Sequence, residues 1–107
     1  MYLLEHKNPS GTVNQFHIDV SEDGLMIYES CIHYVLENCS DRDIYEITGC
    51  ENREALKEIQ KDIISILYYY AARDLLPARC LETENRHTDL DELSYIGINK
   101  ADFNKET

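Results

Sequence analysis

The stretch from Asn52 to Leu76 constrains this chain more than any other. Asn52 is a good helix N-cap, and Leu56, Ile59, Ile63, Leu67 and Tyr70 recur at helical spacing before Pro77 ends the run. Up to Asp62 the other positions are charged or polar, which makes a one-sided amphipathic helix. From Ile63 to Ala72 only Ser65 is neither apolar nor aromatic, so this half should be enclosed on most sides. A helix over 52–76 would be roughly 37 Å long at 1.5 Å per residue. A domain of this size has a radius of gyration of about 13 Å. The remaining residues must therefore wrap around the helix.

Upstream, Tyr2–Lys7 and Thr12–Val20 flank Asn8-Pro9-Ser10-Gly11, a sequence suited to a type I turn. The expected element is a β-hairpin over about 2–20, with Lys7 opposite Thr12 and Leu3 opposite Phe16. Its face of Leu3, Phe16 and Ile18 should lie on helices or extend a larger sheet, because an isolated hairpin is marginal. A second helix is expected over about 22–39. Leu25, Tyr28, Ile32, Val35, Leu36 and Cys39 fall on one face of it, with Ile27, Cys31 and Tyr34 as an apolar flank. Glu29, Ser30, His33 and Glu37 are left as its polar strip. Ser40-Asp-Arg-Asp43 approximates a capping box and starts a helix over about 41–48 that Gly49 ends. Tyr95-Ile-Gly-Ile98 is a candidate extra strand near 95–98, joining the hairpin. The fold class expected is α+β, mainly helical, with the hairpin packed on three or more helices in one domain over 1–107; an all-α fold is the alternative.

The totals narrow the function classes. No apolar run reaches membrane-spanning length and no signal-peptide pattern opens the chain, so a cytoplasmic protein is expected. Cys31, Cys39, Cys50 and Cys80 show no C-x-x-C spacing and suit free, mostly buried thiols. The net charge is −11 and unevenly spread. Residues 1–52 set ten acids against Lys7 and Arg42, while 53–81 are nearly neutral and 82–107 are acidic again. The long helix is thus an electrically neutral scaffold. The acidic remainder repels nucleic acid and anionic lipid and attracts basic partners.

Motifs for catalysis are lacking: there is no Gly-rich phosphate loop, G-x-S-x-G, H-E-x-x-H or EF-hand. Cys80 and His87 are the one thiol–imidazole pair in a polar region, and incidental thiols are the better reading. Glu29, His33 and Glu37 follow i, i+4, i+8 spacing, but three ligands on one straight helix cannot converge on a single ion. A solvated edge accounts for them more simply. No catalytic residue, metal or cofactor is assigned.

Tyrosine and acid concentrate together. There are eight tyrosines, no Trp and two Phe. Tyr68, Tyr69 and Tyr70 cover about 200° of a helix, so at least one should face the surface. The densest acid lies between Asp19 and Glu51, with a second knot from Glu82 to Glu92. Asp41, Asp43, Tyr45, Glu46 and Glu51, then Asp89, Asp91 and Glu92, are the candidate partner contacts. Aromatic anchors beside carboxylates suit a basic protein surface.

In size, acidity, tyrosine content and lack of a catalytic motif, the chain resembles the small bacterial immunity proteins of contact-dependent growth inhibition and other polymorphic toxin systems. The resemblance is one of composition and rests on no motif. It implies a protein without turnover of its own, which binds one cognate basic toxin domain, such as a nuclease, as a monomer in a 1:1 complex. It would cover the toxin's active site or substrate groove. The rivals are an acidic DNA mimic or adaptor, a small enzyme using Cys80 with His87 or a metal at His33, and a subunit whose acidic face serves solubility alone.

Overall fold

The computed structural model describes residues 1–11 and 13–99. Two antiparallel strands, β1 (Tyr2–Lys7) and β2 (Gln15–Asp19), precede α1 (Glu22–Asn38), α2 (Asp41–Thr48) and α3 (Arg53–Tyr70). A 3-10 turn at Arg73–Leu75, α4 (Ala78–Leu81), a 3-10 turn at Thr83–Asn85 and α5 (Leu90–Tyr95) follow. The chain is α+β and mainly helical. No helix among the described residues is long and apolar enough to cross a membrane.

Local sequence sets each helix end. Ser21, Ser40 and Asn52 accept the N–H of the residue three positions on, at the starts of α1, α2 and α3. Gly49 ends α2 at φ 76°, a conformation that costs any residue with a Cβ. The central helix is shorter than predicted. It stops at Tyr70, and Ala71 and Ala72 are extended before the 3-10 turn. Ala71 and Leu76 then enter the core as parts of a returning segment rather than as a helix face.

α1 and α3 run antiparallel. One apolar cluster joins Leu25 and Met26 of α1 to Ile64 and Leu67 of α3, and Ala71, Leu76 and Cys80 close it from the returning chain. The other joins Ile32, Val35 and Leu36 to Leu56, with Ile44 of α2 driven fully into it.

The hairpin departs from expectation in three ways. The turn forms, with Gly11 N–H on Asn8 C=O at 3.3 Å. β2, however, starts at Gln15, because the Asn14 carboxamide oxygen holds His6 Nε2 at 2.6 Å and Asn8 Nδ2 at 3.2 Å. Lys7 therefore pairs with Gln15, and Leu3 with Ile18 rather than Phe16; Thr12 lies outside the described residues. An irregularity between Leu3 and Glu5 restores the parity, so Leu3, Phe16 and Ile18 still share a face. That face covers nothing: every residue of both strands is exposed. The predicted strand at 95–98 does not form, and these residues end α5 and turn back to bury Ile98. The sheet accordingly has two strands. The radius of gyration, 15.0 Å, exceeds the roughly 13 Å of a compact chain of this size.

Candidate functional site

Three groupings of side chains stand out. The first is a surface. On α1, Met26, Ile27, Cys31, Tyr34 and Val35 line an open groove of about 810 Å³ together with Asp23 and Ser30. Ile27, Tyr34, and Tyr45 and Ile47 of α2 are exposed. Cys31 is exposed too, against the expectation of mostly buried thiols; Cys80 alone is fully buried. Just before β1, Met1 Sδ accepts from the Tyr28 hydroxyl at 3.8 Å. Exposed apolar side chains of this kind are candidates for a docking surface.

The predicted contacts divide into two groups. Asp41, Asp43, Tyr45, Glu46 and Glu51 are all exposed on or beside α2. Asp41 pairs with Arg53 at 3.1 Å, and Glu46 with Arg42 at 3.3 Å. Arg53 also donates to the C=O groups of Leu36 and Cys39, supplying the cation that the last turn of α1 lacks. Asp89 caps α5 through the N–H groups of Asp91 and Glu92, and Glu92 bonds to His87, which bonds to Asp62. Arg53 and Asp62 are nine residues apart on α3, hence about half a turn apart around it and about 14 Å along it. The two acidic groups thus meet α3 from opposite sides and do not form one cluster.

The second grouping is a polar layer between the two apolar clusters. Glu29, predicted on a solvated strip, is buried instead. Its carboxylate accepts from Arg79 Nη2 at 2.7 Å, Arg79 Nε at 3.0 and 3.2 Å, and Gln60 Nε2 at 3.0 Å. Arg79 Nη2 also reaches Ser30 Oγ at 3.2 Å. The strip failed because its cation comes from α4, fifty positions on. Glu29 is thereby committed to Arg79 and Gln60 rather than to an ion shared with His33 and Glu37. Cys80 Sγ lies 4.0 Å from the same carboxylate. Burial, and then the Glu29 charge, push its thiol up to about 11, the reverse of an activated nucleophile.

The third grouping centres on His87, which sequence reasoning raised only as a partner for Cys80. The buried Ser65 hydroxyl accepts its N–H at 2.8 Å, and Tyr69 donates to its C=O at 3.3 Å. Arg86 next to it lies over the Tyr68 ring, 3.7 Å from the centroid. The imidazole is set between carboxylates: Nδ1 to Glu92 at 2.6 Å, Nε2 to Asp62 at 2.7 Å, and Glu58 further off Nε2 at 3.9 Å. Burial opposes its charge, but the bonds to Glu92 and Asp62 outweigh that, and its pKa lies above the ordinary histidine value. Cys80 and His87 therefore each have other partners. The signal available in the sequence was Glu58 and Asp62 at i, i+4 on α3; what joined them to His87 was the return of the chain.

Compared with protein-family models, curated proteins and solved structures, the chain matches none. Its own geometry has to carry the functional reading.

Proposed function

We propose that this protein is an immunity protein that binds a cognate basic toxin domain, most simply a nuclease, and neutralises it by covering its active site or substrate groove. The observation that carries this reading is the occurrence of exposed apolar side chains on α1 and α2 together with exposed carboxylates on and beside α2. Ile27, Tyr34, Tyr45 and Ile47 supply area to bury, and Asp41, Asp43, Glu46 and Glu51 supply acceptors for Arg and Lys. A net charge of −11 speeds encounter with a positively charged groove, and burial of the aromatic and aliphatic groups then slows release. The protonated, buried Cys80 and the carboxylate-bound His87 favour a binder over a thiol enzyme. The split of the acids between opposite sides of α3 favours one specific face over a broad mimic of a nucleic-acid backbone.

The test is to look for a neighbouring reading frame that encodes a basic C-terminal domain and to co-express that domain with this protein. Rescue of growth, and a 1:1 complex that survives 1 M salt, are the expected results, because salt screens charge but leaves apolar contacts. Tyr45→Ala with Ile47→Asp should abolish the complex at any salt. Failure to protect, or a complex that salt disperses as it does those with unrelated basic proteins, overturns the reading.

A further inference from the structure

We infer that Glu58, Asp62 and His87 form a site for a divalent transition-metal ion, Zn²⁺ being the best fit, that clamps the chain after α4 onto α3. Their ligand atoms all lie within 4.8 Å of one another. Three ligands with a water in the fourth position is a familiar zinc arrangement, and imidazole with carboxylates is a donor set zinc accepts.

The distances suit an ion. In a tetrahedral shell with bonds near 2.0–2.1 Å, neighbouring ligand atoms are about 3.3 Å apart. Asp62 Oδ1 stands 2.7 Å from His87 Nε2 and Glu58 Oε2 stands 3.9 Å from it. These two separations bracket that value, and side-chain rotation of the two carboxylates, with Asp62 swinging off the hydrogen-bond line to admit the ion, would bring both to it. Both are free to do so, with side chains 42% and 65% exposed. The histidine, at 8%, is the fixed member.

The ring is also oriented as a ligand is. Its backbone N–H is held by Ser65, and Nδ1 meets Glu92 at 2.6 Å. A carboxylate on the far nitrogen fixes the tautomer and raises the basicity of the ligating one, as outer-shell carboxylates do at metal sites. An entering ion takes the place of the Nε2 proton. The Nδ1 proton stays on the bond to Glu92. Three carboxylates surround this imidazole, and Lys61 is the neighbouring cation that opposes its charge. Exchanging a single positive charge for a double one brings the cluster nearer to balance.

The experiment uses the full chain, stripped with EDTA and desalted, with Co²⁺ as optical probe and Zn²⁺ in thermal melts. The expected results are visible d–d bands of four-coordinate Co²⁺, lost on adding Zn²⁺, and a Tm raised by about 10 °C at a hundredfold excess of Zn²⁺ over its Kd. Glu58→Gln is the deciding variant. Its exposed side chain makes no core contact, so the metal-free Tm should stay within about 2 °C of wild type while affinity falls at least tenfold. Glu92→Gln should weaken binding by about 10–100-fold through the ring. His87→Gln adds little, since loss of a buried group disturbs the fold. No bands and no Tm shift, unchanged affinity in Glu58→Gln, or binding abolished by Cys31→Ser would each overturn the site.

Discussion

Removing Arg79 is the most informative single perturbation of this fold. Glu29 is 1% exposed and Arg79 is 24% exposed, so the two partners are not equivalent. Arg79→Met keeps the aliphatic stem and takes away the guanidinium. It strands a carboxylate in the middle layer of the α1–α3 interface, with Gln60 as its remaining strong donor. Breaking a buried pair in this way costs about 3–5 kcal/mol. Glu29→Gln removes the charge from the buried side instead, and Arg79 can turn its head toward water. The cost should then be that of charge-assisted hydrogen bonds, about 1.5–3 kcal/mol. The double variant Glu29→Leu with Arg79→Met leaves no charge to bury, and should lie within about 1 kcal/mol of wild type.

Urea unfolding reads these differences as shifts in midpoint at constant slope. In thermal melts Arg79→Met should lower Tm by roughly 15 °C or more, at about 4–8 °C per kcal/mol for a chain of this size. The order is the test: Arg79→Met worst, Glu29→Gln intermediate, the double variant nearly neutral. An Arg79→Met cost below about 1 kcal/mol, or a Glu29→Gln cost exceeding it, would refute the assignment of a buried carboxylate held by an arginine free to leave it.

Other outcomes follow from single contacts. The folded-state pKa of His87 is raised, so its stabilisation is complete below the unfolded value near 6.5 and disappears as pH rises through the folded one. In EDTA, the stability gap between wild type and Asp62→Asn should shrink between pH 6 and pH 9; a gap that is flat or widens counts against the His87–Asp62 ion pair. Arg53→Ala should cost about 2–3 kcal/mol in urea unfolding, because it uncaps two α1 carbonyls and releases Asp41. Gly49→Ala should cost about 1–2 kcal/mol, since φ 76° is left-handed. A maleimide should label Cys31 in the native protein within minutes and Cys80 only on unfolding, as mass spectrometry of digests would report.

What could be read along the chain was whatever local physics decides. The caps at Ser21, Ser40 and Asn52, the stop at Gly49, the turn at Asn8–Gly11 and the apolar faces of α1 and α3 all depend on residues within a few positions of one another. The end of α3 did not. Tyr69, Tyr70, Ala71 and Ala72 are acceptable in a helix, but ending at Tyr70 lets the chain turn back and place Leu76 and Cys80 over Leu25 and Met26. Tertiary burial overrides propensity there. The hairpin register was lost for a similar reason, since the Asn14 side chain bonds His6 and Asn8 and the ladder starts only at Gln15.

The polar clusters were illegible for a deeper reason. Amphipathic periodicity assigns a charged residue to water unless a counter-charge is visible nearby, and Glu29 has none within a turn. Arg79 lies in a segment with no periodicity of its own, and its approach depends on the chain reversing after Ala71. The same reversal carries His87 to Asp62. One topological event therefore built both clusters. Arg53 and Arg79 are committed internally to α1, one at its C-terminus and one at its centre. The cations that might have offset the acids on α2 are occupied or turned inward. Of its nearest ones, Arg42 lies along Glu46 and Arg53 shares Asp41 with the α1 carbonyls, while Asp43 and Glu51 have no ion pair among the described residues. The unpaired acids around α2 are thus a consequence of how the core is held together, which is why, on the proposed function, weakening the core arginines should disturb recognition as well as stability.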